Sequence, residues 1–273
     1  MALQKFEKSF AVYVKAGYEF ATAKKFPSNH EKLLREISNG LDDSVMMLDD
    51  IIDASKTRNG KACIYVQEGI PFTIIKAEKL RFESIRKMTK ISNLLKTKDS
   101  FKIELFQAIH GYLFDLYRGE ILISSSNKSS SFENYFLAVR LFTGGHVSTG
   151  FNVGQLLANK KPSKKLEKIA HSIGIIRQIN DDIQDYFEKH HEPFGDFLSG
   201  NNRLPEVLFI KYGGNKKSVI SLAKKGEIAK ARNVVLNDKV KDAIRKIYID
   251  EIKKIESTRL SFPHARFLEP ISI

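Results

Sequence analysis

Asp49-Asp50-Ile51-Ile52-Asp53, followed after four residues by Arg58-Asn59-Gly60-Lys61, is the stretch that decides how this chain is read, and Asp181-Asp182-Ile183-Gln184-Asp185 is its downstream twin. In each, carboxylates fall at positions i, i+1 and i+4 of an apolar run. At 3.6 residues per helical turn the outer two share one face. Carboxylates stacked in this way repel one another unless something positive lies between them. A single acidic pentad is more readily read as the solvated edge of an amphipathic helix. Two matching pentads favour a shared cation.

The flanking pattern makes both pentads helical. Residues 5 to 25 carry apolar side chains at helical spacing and end in a basic turn before Phe26-Pro27-Ser28-Asn29. Ser28 or Asn29 then starts a second helix, with Leu33, Leu34 and Ile37, that runs into the first pentad either unbroken or broken near Gly40. Ala62 to Val66 has the β-branched content of a short strand, but no hairpin partner follows, so the chain reads as all-helical. Helical periodicity resumes from Gly69 through Ile85, over 100 to 123, and from Phe132 to Leu157. The polar tract Ser124 to Ser131 is expected to be a loop. Leu166, Ile169, Ile173 and Ile176 lead into the second pentad, a polar loop spans His190 to Pro205, and two further helices are expected over 205 to 256.

At 273 residues and 42% hydrophobic content the chain can bury a large core, and it is read as one domain over 1–273. No apolar run reaches the roughly 20 residues of a bilayer span and the N-terminus lacks a secretory block, so a soluble, cytoplasmic protein is expected. Cys63, the single cysteine, excludes disulfide scaffolds and cysteine-rich zinc sites. The formal net charge of +13 implies an anionic partner. Without a nucleic-acid motif or an arginine-rich arm, the scattered lysines read as a solvated surface rather than a nucleic-acid face, with phosphorylated substrates and peripheral contact with an anionic membrane as the remaining partners. His110, His171 and the pair His190-His191 lack metal-site spacing.

Two triads of carboxylates make an oxygen-only site for hard cations, and magnesium favours a few carboxylates completed by substrate phosphate oxygens. Lys56, Arg58 and Lys61 behind the first pentad suit the outer face of a diphosphate. A neutralised diphosphate on an allylic carbon becomes a leaving group, and the resulting cation needs shelter from water. Val45, Met46, Met47, Phe101, Phe106, Tyr112 and Phe114 could supply apolar walls, or could be ordinary core.

DDIIDASKTRNGK resembles the first aspartate-rich motif of the trans-isoprenyl diphosphate synthases, and GIIRQINDDIQDYF is similar to the second. Arg118-Gly119-Glu120, Thr143-Gly144-Gly145 and Asp196 to Pro205 match supporting pieces in order, so the likeness covers roughly residues 30 to 210 and is greatest to the geranylgeranyl diphosphate synthases. The resemblance implies an all-α isoprenoid-synthase bundle around a deep central cavity, commonly homodimeric, using magnesium and an allylic isoprenyl diphosphate. It implies metal ligation by Asp49, Asp53, Asp181 and Asp185 with Asp50 and Asp182 supporting, and diphosphate contacts from Arg58, Lys61 and Thr143. It also puts Gln178 near the carbocation, and Ser44 where bulk limits product length. The departures fall together: Asn59, Phe142, Asn201 and Asp42 stand where the family has cations or a histidine, several of which hold isopentenyl diphosphate. A prenyltransferase with a different acceptor is therefore expected, beside a chain-elongating synthase with an altered acceptor site, a terpene cyclase and a non-catalytic partner subunit.

Overall fold

The computed structural model describes residues 9–58, 60–124, 131–184, 186 and 203–259. They gather into two compact units, residues 1–112 with 146–167 and residues 113–145 with 168–273. Among the described residues the fold is all-α apart from one short hairpin. In order come α1 (Phe10–Thr22), a 3-10 turn (Ser28–His30), α2 (Glu31–Ile52), β1 (Thr57–Arg58), β2 (Lys61–Ala62), α3 (Ile64–Glu68), α4 (Ile70–Leu94) and α5 (Asp99–Ser124). Then follow α6 (Phe132–Val139), a π turn (Arg140–Gly144), α7 (Gly145–Leu157), α8 (Lys164–Gln184), α9 (Leu204–Lys211), α10 (Lys216–Lys224), α11 (Ile228–Val235) and α12 (Asp238–Ser257).

In the first unit α2 packs along α4. Leu34, Ile37, Leu41 and Ser44 are buried on α2, and Ala77, Ser84, Met88 and Ile91 on α4. Of the two courses left open at Gly40 the structure takes the unbroken one, and α2 runs through to Ile52. Gly40 serves the packing instead, because a methyl group there would lie 2.2 Å from Ser84 Oγ. Burial of the shared face outweighs the roughly 1 kcal/mol a mid-helix glycine costs. α1 meets α7 as closely: a methyl at Gly154 would sit 2.1 Å from the Val14 carbonyl oxygen, and one at Gly17 2.1 Å from that of Phe151.

The strand propensity after Gly60 resolves differently from expectation. Ala62 does pair, but with residues before it: Thr57 opposes Ala62 and Arg58 opposes Lys61 in an antiparallel hairpin. Gly60 takes a positive φ of 75° at its turn. Asn59-Gly60 is the turn signal that marks such a hairpin. Ile64 to Val66 belong to α3.

In the second unit Tyr135, Val139, Ile175, Ile179 and Ile183 build a core with Leu204, Leu208, Val219, Val235 and Ile244. Among the described residues four helices follow Arg203 where two were expected, because Gly213 and Gly226, with φ of 86° and 77°, break the apolar pattern. Asn215 and Asn237 restart it as N-caps, Asn215 Oδ1 accepting from the Lys217 amide at 3.0 Å and Asn237 Oδ1 from the Val240 amide at 3.2 Å. A methyl at Gly174 would lie 2.5 Å from Gly144 Cα, so α8 runs against the π turn almost backbone to backbone.

Glu206 is buried at 2% exposure among these side chains. Burial pushes its carboxyl from 4.5 up to about 7, opposed by a Tyr186 hydrogen bond and the Arg203 charge. A carboxyl raised in the folded state gives stability that is complete below its unfolded pKa and lost as pH rises through the folded one. The fold is therefore expected to be more heat-resistant at pH 5 than at pH 8, by up to about 3 kcal/mol from this residue. Melting curves of wild type and Glu206→Gln check it, since the glutamine variant should flatten the difference.

Candidate active site

The first pentad occupies the last turn of α2, with Asp53 as its C-cap. Carboxylates there oppose the helix dipole, so the position needs compensation. The hairpin supplies it by turning Arg58 back onto the helix. Arg58 Nε donates to Asp50 Oδ1 at 2.7 Å and Nη2 donates to Asp49 Oδ2 at 2.8 Å. Burial works against the guanidinium charge, and the bonds and charges of Asp50 and Asp49 more than restore it, leaving the Arg58 pKa above its usual value. Asp50 is buried, whereas Asp49 keeps a third of its side chain exposed. Cys63 lies buried beside Asp50, and burial together with that carboxylate pushes its thiol up to about 11, leaving it unreactive. Lys61, across the hairpin from Arg58, is exposed.

The second pentad ends α8, and Asp185 lies outside the described residues. Asp181 is half-buried and Asp182 is 2% exposed. Asp182 Oδ2 accepts the Tyr135 hydroxyl at 2.6 Å and the Leu204 amide at 2.8 Å. Its Oδ1 accepts from Gln178 Nε2 at 2.8 Å, and Gln178 Oε1 accepts the Thr143 hydroxyl at 2.6 Å. Thr143 reaches α8 because it sits in the π turn, where the helix widens. Burial raises the Asp182 pKa against the charge of Arg203 and these bonds, and burial with the Asp182 charge lifts that of Tyr135 well above the ordinary phenol.

Several expected residues are thus engaged within the protein. Gln178 bridges Thr143 and Asp182, and Arg58 braces Asp49 against Asp50. Ser44 is fully buried, and its hydroxyl donates to the Leu41 carbonyl at 2.7 Å. Of the apolar residues, Phe101 and Phe106 are half-buried, Tyr112 is buried with its hydroxyl 3.1 Å from His146 Nδ1, and Phe114 is 65% exposed. Among the described residues no three acidic, histidine or cysteine side chains are already drawn into a metal cage. Two exposed-edged carboxylates one turn apart, Asp49 and Asp53, still suit a magnesium ion that takes most of its shell from water and phosphate. His146 escaped the sequence reading, and Tyr135 entered it only as one position of the helical pattern that resumes at Phe132.

The polyprenyl synthetase profile matches residues 12–234, which includes both pentads. The chain belongs to the polyprenyl synthetase family. Within that family it is 25% identical over 193 residues, 68% of this chain and 56% of the relative, to a geranylgeranyl pyrophosphate synthase of Metarhizium robertsii. It is 24% identical over 187 residues, 66% of this chain and 56% of the relative, to an IDS-like terpene synthase of Melampsora lini. The chain spans about half the length of the curated relatives it matches. The crystal structure of a polyprenyl synthase from Caulobacter crescentus, complexed with calcium and isoprenyl diphosphate, superposes with a TM-score of 0.75 at 18% identity. That likeness covers 94% of this chain and 80% of the other, so the polyprenyl synthetase fold extends beyond the profile. Among the described residues no helix is long and apolar enough to cross a membrane.

Proposed function

We propose that this chain is a magnesium-dependent prenyltransferase that ionises an allylic isoprenyl diphosphate and passes the prenyl group to an acceptor other than isopentenyl diphosphate. The observation that carries the reading is the braced end of α2, where Arg58 neutralises Asp49 and Asp50 together and so keeps acidic oxygens close at a helix C-terminus. Asp49, Asp53, Asp181 and Asp185 would hold magnesium, which on binding supplies charge neutralisation for the leaving diphosphate. Asp50 and Asp182 act as supports, because each is buried and hydrogen-bonded within the fold. Lys61, exposed beside the clamp, offers its ammonium to the outer phosphate. Gln178 and Thr143 fix the end of α8 from within. A single isoprenoid-synthase domain over 1–273, a homodimer and a cytoplasmic location accompany this reading.

The purified full chain with farnesyl diphosphate should release diphosphate in magnesium and not in EDTA. It should not lengthen the chain when labelled isopentenyl diphosphate is added. No release in magnesium sinks the reading in favour of a non-catalytic subunit, and efficient lengthening turns it into an elongating synthase. The likeness to a terpene synthase favours a second reading, cyclisation, for which a hydrocarbon or cyclic alcohol from farnesyl diphosphate alone is the mark.

A further inference from the structure

Residues 211–241 hold nine lysines and arginines against two carboxylates, so this short span carries +7 of the chain's +13. Lysines that look scattered along the sequence are gathered by the second unit. Lys211 ends α9, Lys216 and Lys217 open α10, Lys224 and Lys225 close it, Lys230 lies on α11, and Lys239 and Lys241 open α12. Leu208, Val219, Ala231, Val235 and Val240 of these helices share one buried core, and the lysines stand outside it. Lys211, Lys217, Lys224, Lys225, Lys230 and Lys239 are exposed. Tyr212 ties the ends of the span together, since Lys239 Nζ lies 4.5 Å from the centre of its ring. On α10, Lys217, Ser221 and Lys224 follow at helical spacing on the side away from the buried Val219, which puts the two lysines about 10 Å apart along the axis.

The fold by itself does not call for these charges. Lys211, Lys224 and Lys225, at C-terminal ends, suit the helix dipole, but Lys216 and Lys217 occupy the first turn of α10, which holds no acidic residue. Lys239 stands in the first turn of α12 with Asp238 as its offset. Glu227, the other carboxylate of the span, is taken by Lys230 at 3.1 Å. Lys211, Lys217, Lys224, Lys225 and Lys239 meet no carboxylate among the described residues. Cations kept where the helix dipole disfavours them point to an anion outside the fold.

The make-up of the face selects the partner. Eight of the nine cations are lysines and the one arginine, Arg232, is half-buried, so the face offers point charges rather than forks that grip phosphates in a fixed register. Tyr212, 39% exposed, is the large apolar side chain that the span shows to solvent, and Lys239 lies over its ring. That leaves neither an open stacking platform for bases nor the apolar centre of a protein interface. Mobile ammonium groups without an apolar anchor match a fluid layer of anionic headgroups, to which each lysine adds its own attraction.

We propose that the outer side of α9 to α12 docks electrostatically on an anionic phospholipid surface, laying the protein on the membrane without inserting into it. The test is sedimentation of the full chain with vesicles of phosphatidylcholine, alone and mixed with phosphatidylglycerol. Binding is expected only with phosphatidylglycerol, and it should be lost when salt rises from about 0.1 M to about 1 M, as the screening length falls from about 10 Å to about 3 Å. Lys217→Gln, Lys224→Gln, Lys225→Gln and Lys239→Gln combined should weaken partitioning about fivefold per ammonium, on the order of several hundredfold together. The same number of changes on exposed lysines of the first unit, Lys24→Gln, Lys25→Gln, Lys79→Gln and Lys90→Gln, should leave it within a few fold of wild type. Lys217→Glu alone should weaken binding and yet raise the melting temperature in solution, because it relieves the start of α10. No binding to phosphatidylglycerol vesicles, equal binding to phosphatidylcholine, or equal losses in the two combined variants overturns the proposal, as does a lower melting temperature in Lys217→Glu. Duplex DNA held more tightly than the vesicles, and released by the first combined variant, makes the face a nucleic-acid one instead. None of these readouts needs turnover, so their failure leaves the prenyltransferase reading untouched.

Discussion

Asp49→Ala is expected to lower magnesium-dependent release of diphosphate from farnesyl diphosphate about a thousandfold, and Asp181→Ala to do the same. A thousandfold corresponds to about 4 kcal/mol of transition-state stabilisation, the scale on which a bound metal neutralises a developing anion. Neither substitution should unfold the chain. Asp49 keeps a third of its side chain exposed, and Arg58 retains Asp50 at 2.7 Å when Asp49 is gone. Asp181 is half-buried and lies outside the hydrogen-bond chain from Thr143 to Asp182. Near-wild-type release from both variants, with unchanged melting temperature, would remove the metal role from both pentads at once. An effect of Asp49→Ala alone would confine it to α2.

The sequence shows the pentads because their spacing is local: three carboxylates at i, i+1 and i+4 can be counted without knowing what lies opposite. It also shows most of the helices, whose buried faces repeat every three or four residues. The misread places are those where tertiary contact decides. Gly40 leaves a break open until α4 is seen to need its missing side chain at Ser84. The C-terminal stretch reads as two helices because Ile, Val and Leu run through it, yet Gly213, Gly226 and the caps Asn215 and Asn237 were there to divide it. Asn59-Gly60 was a readable turn signal whose strand partner precedes rather than follows.

The candidate site divides in the same way. Arg58 stands in the sequence as a cation near the pentad, but its two-pronged bond to Asp49 and Asp50 depends on a hairpin of only two residues a side. Such a hairpin is weak by itself and is held by the ion pair it delivers. Gln178 is three residues before Asp181 and readable as a motif residue, but the partner that orients it, Thr143, comes from a π turn that no periodicity announces. His146 and Asp42 are 104 positions apart and become a pair only when α2 and α7 are packed. Residue type and spacing therefore identify the acid groups, while tertiary structure decides which of them are already committed.

Asp182 is the most committed of all, and Asp182→Ala is expected to destabilise the protein by about 3 to 5 kcal/mol, the usual cost of removing one partner from a buried charged network. Three donors lose their acceptor together: the Tyr135 hydroxyl, the Leu204 amide that begins α9, and Gln178 Nε2. Each unpaired buried donor costs about 1 to 3 kcal/mol, offset in part because the carboxylate is itself costly to bury, as its raised pKa shows. For a chain of this size that shifts the melting temperature by roughly 10 °C. Asp182→Asn should recover most of it. The asparagine oxygen can face Tyr135 and Leu204, and its NH2 can face Gln178 once the Gln178 amide turns over, so that Gln178 Oε1 accepts from the asparagine and Gln178 Nε2 donates to the Thr143 hydroxyl oxygen. Thermal melts and urea titrations of the three proteins measure this directly. The alanine loss should be the same with magnesium and with EDTA, because it belongs to the fold. A loss that appears only in magnesium would make Asp182 a metal ligand, and an alanine variant melting within 2 °C of wild type would show that the network is not a structural anchor.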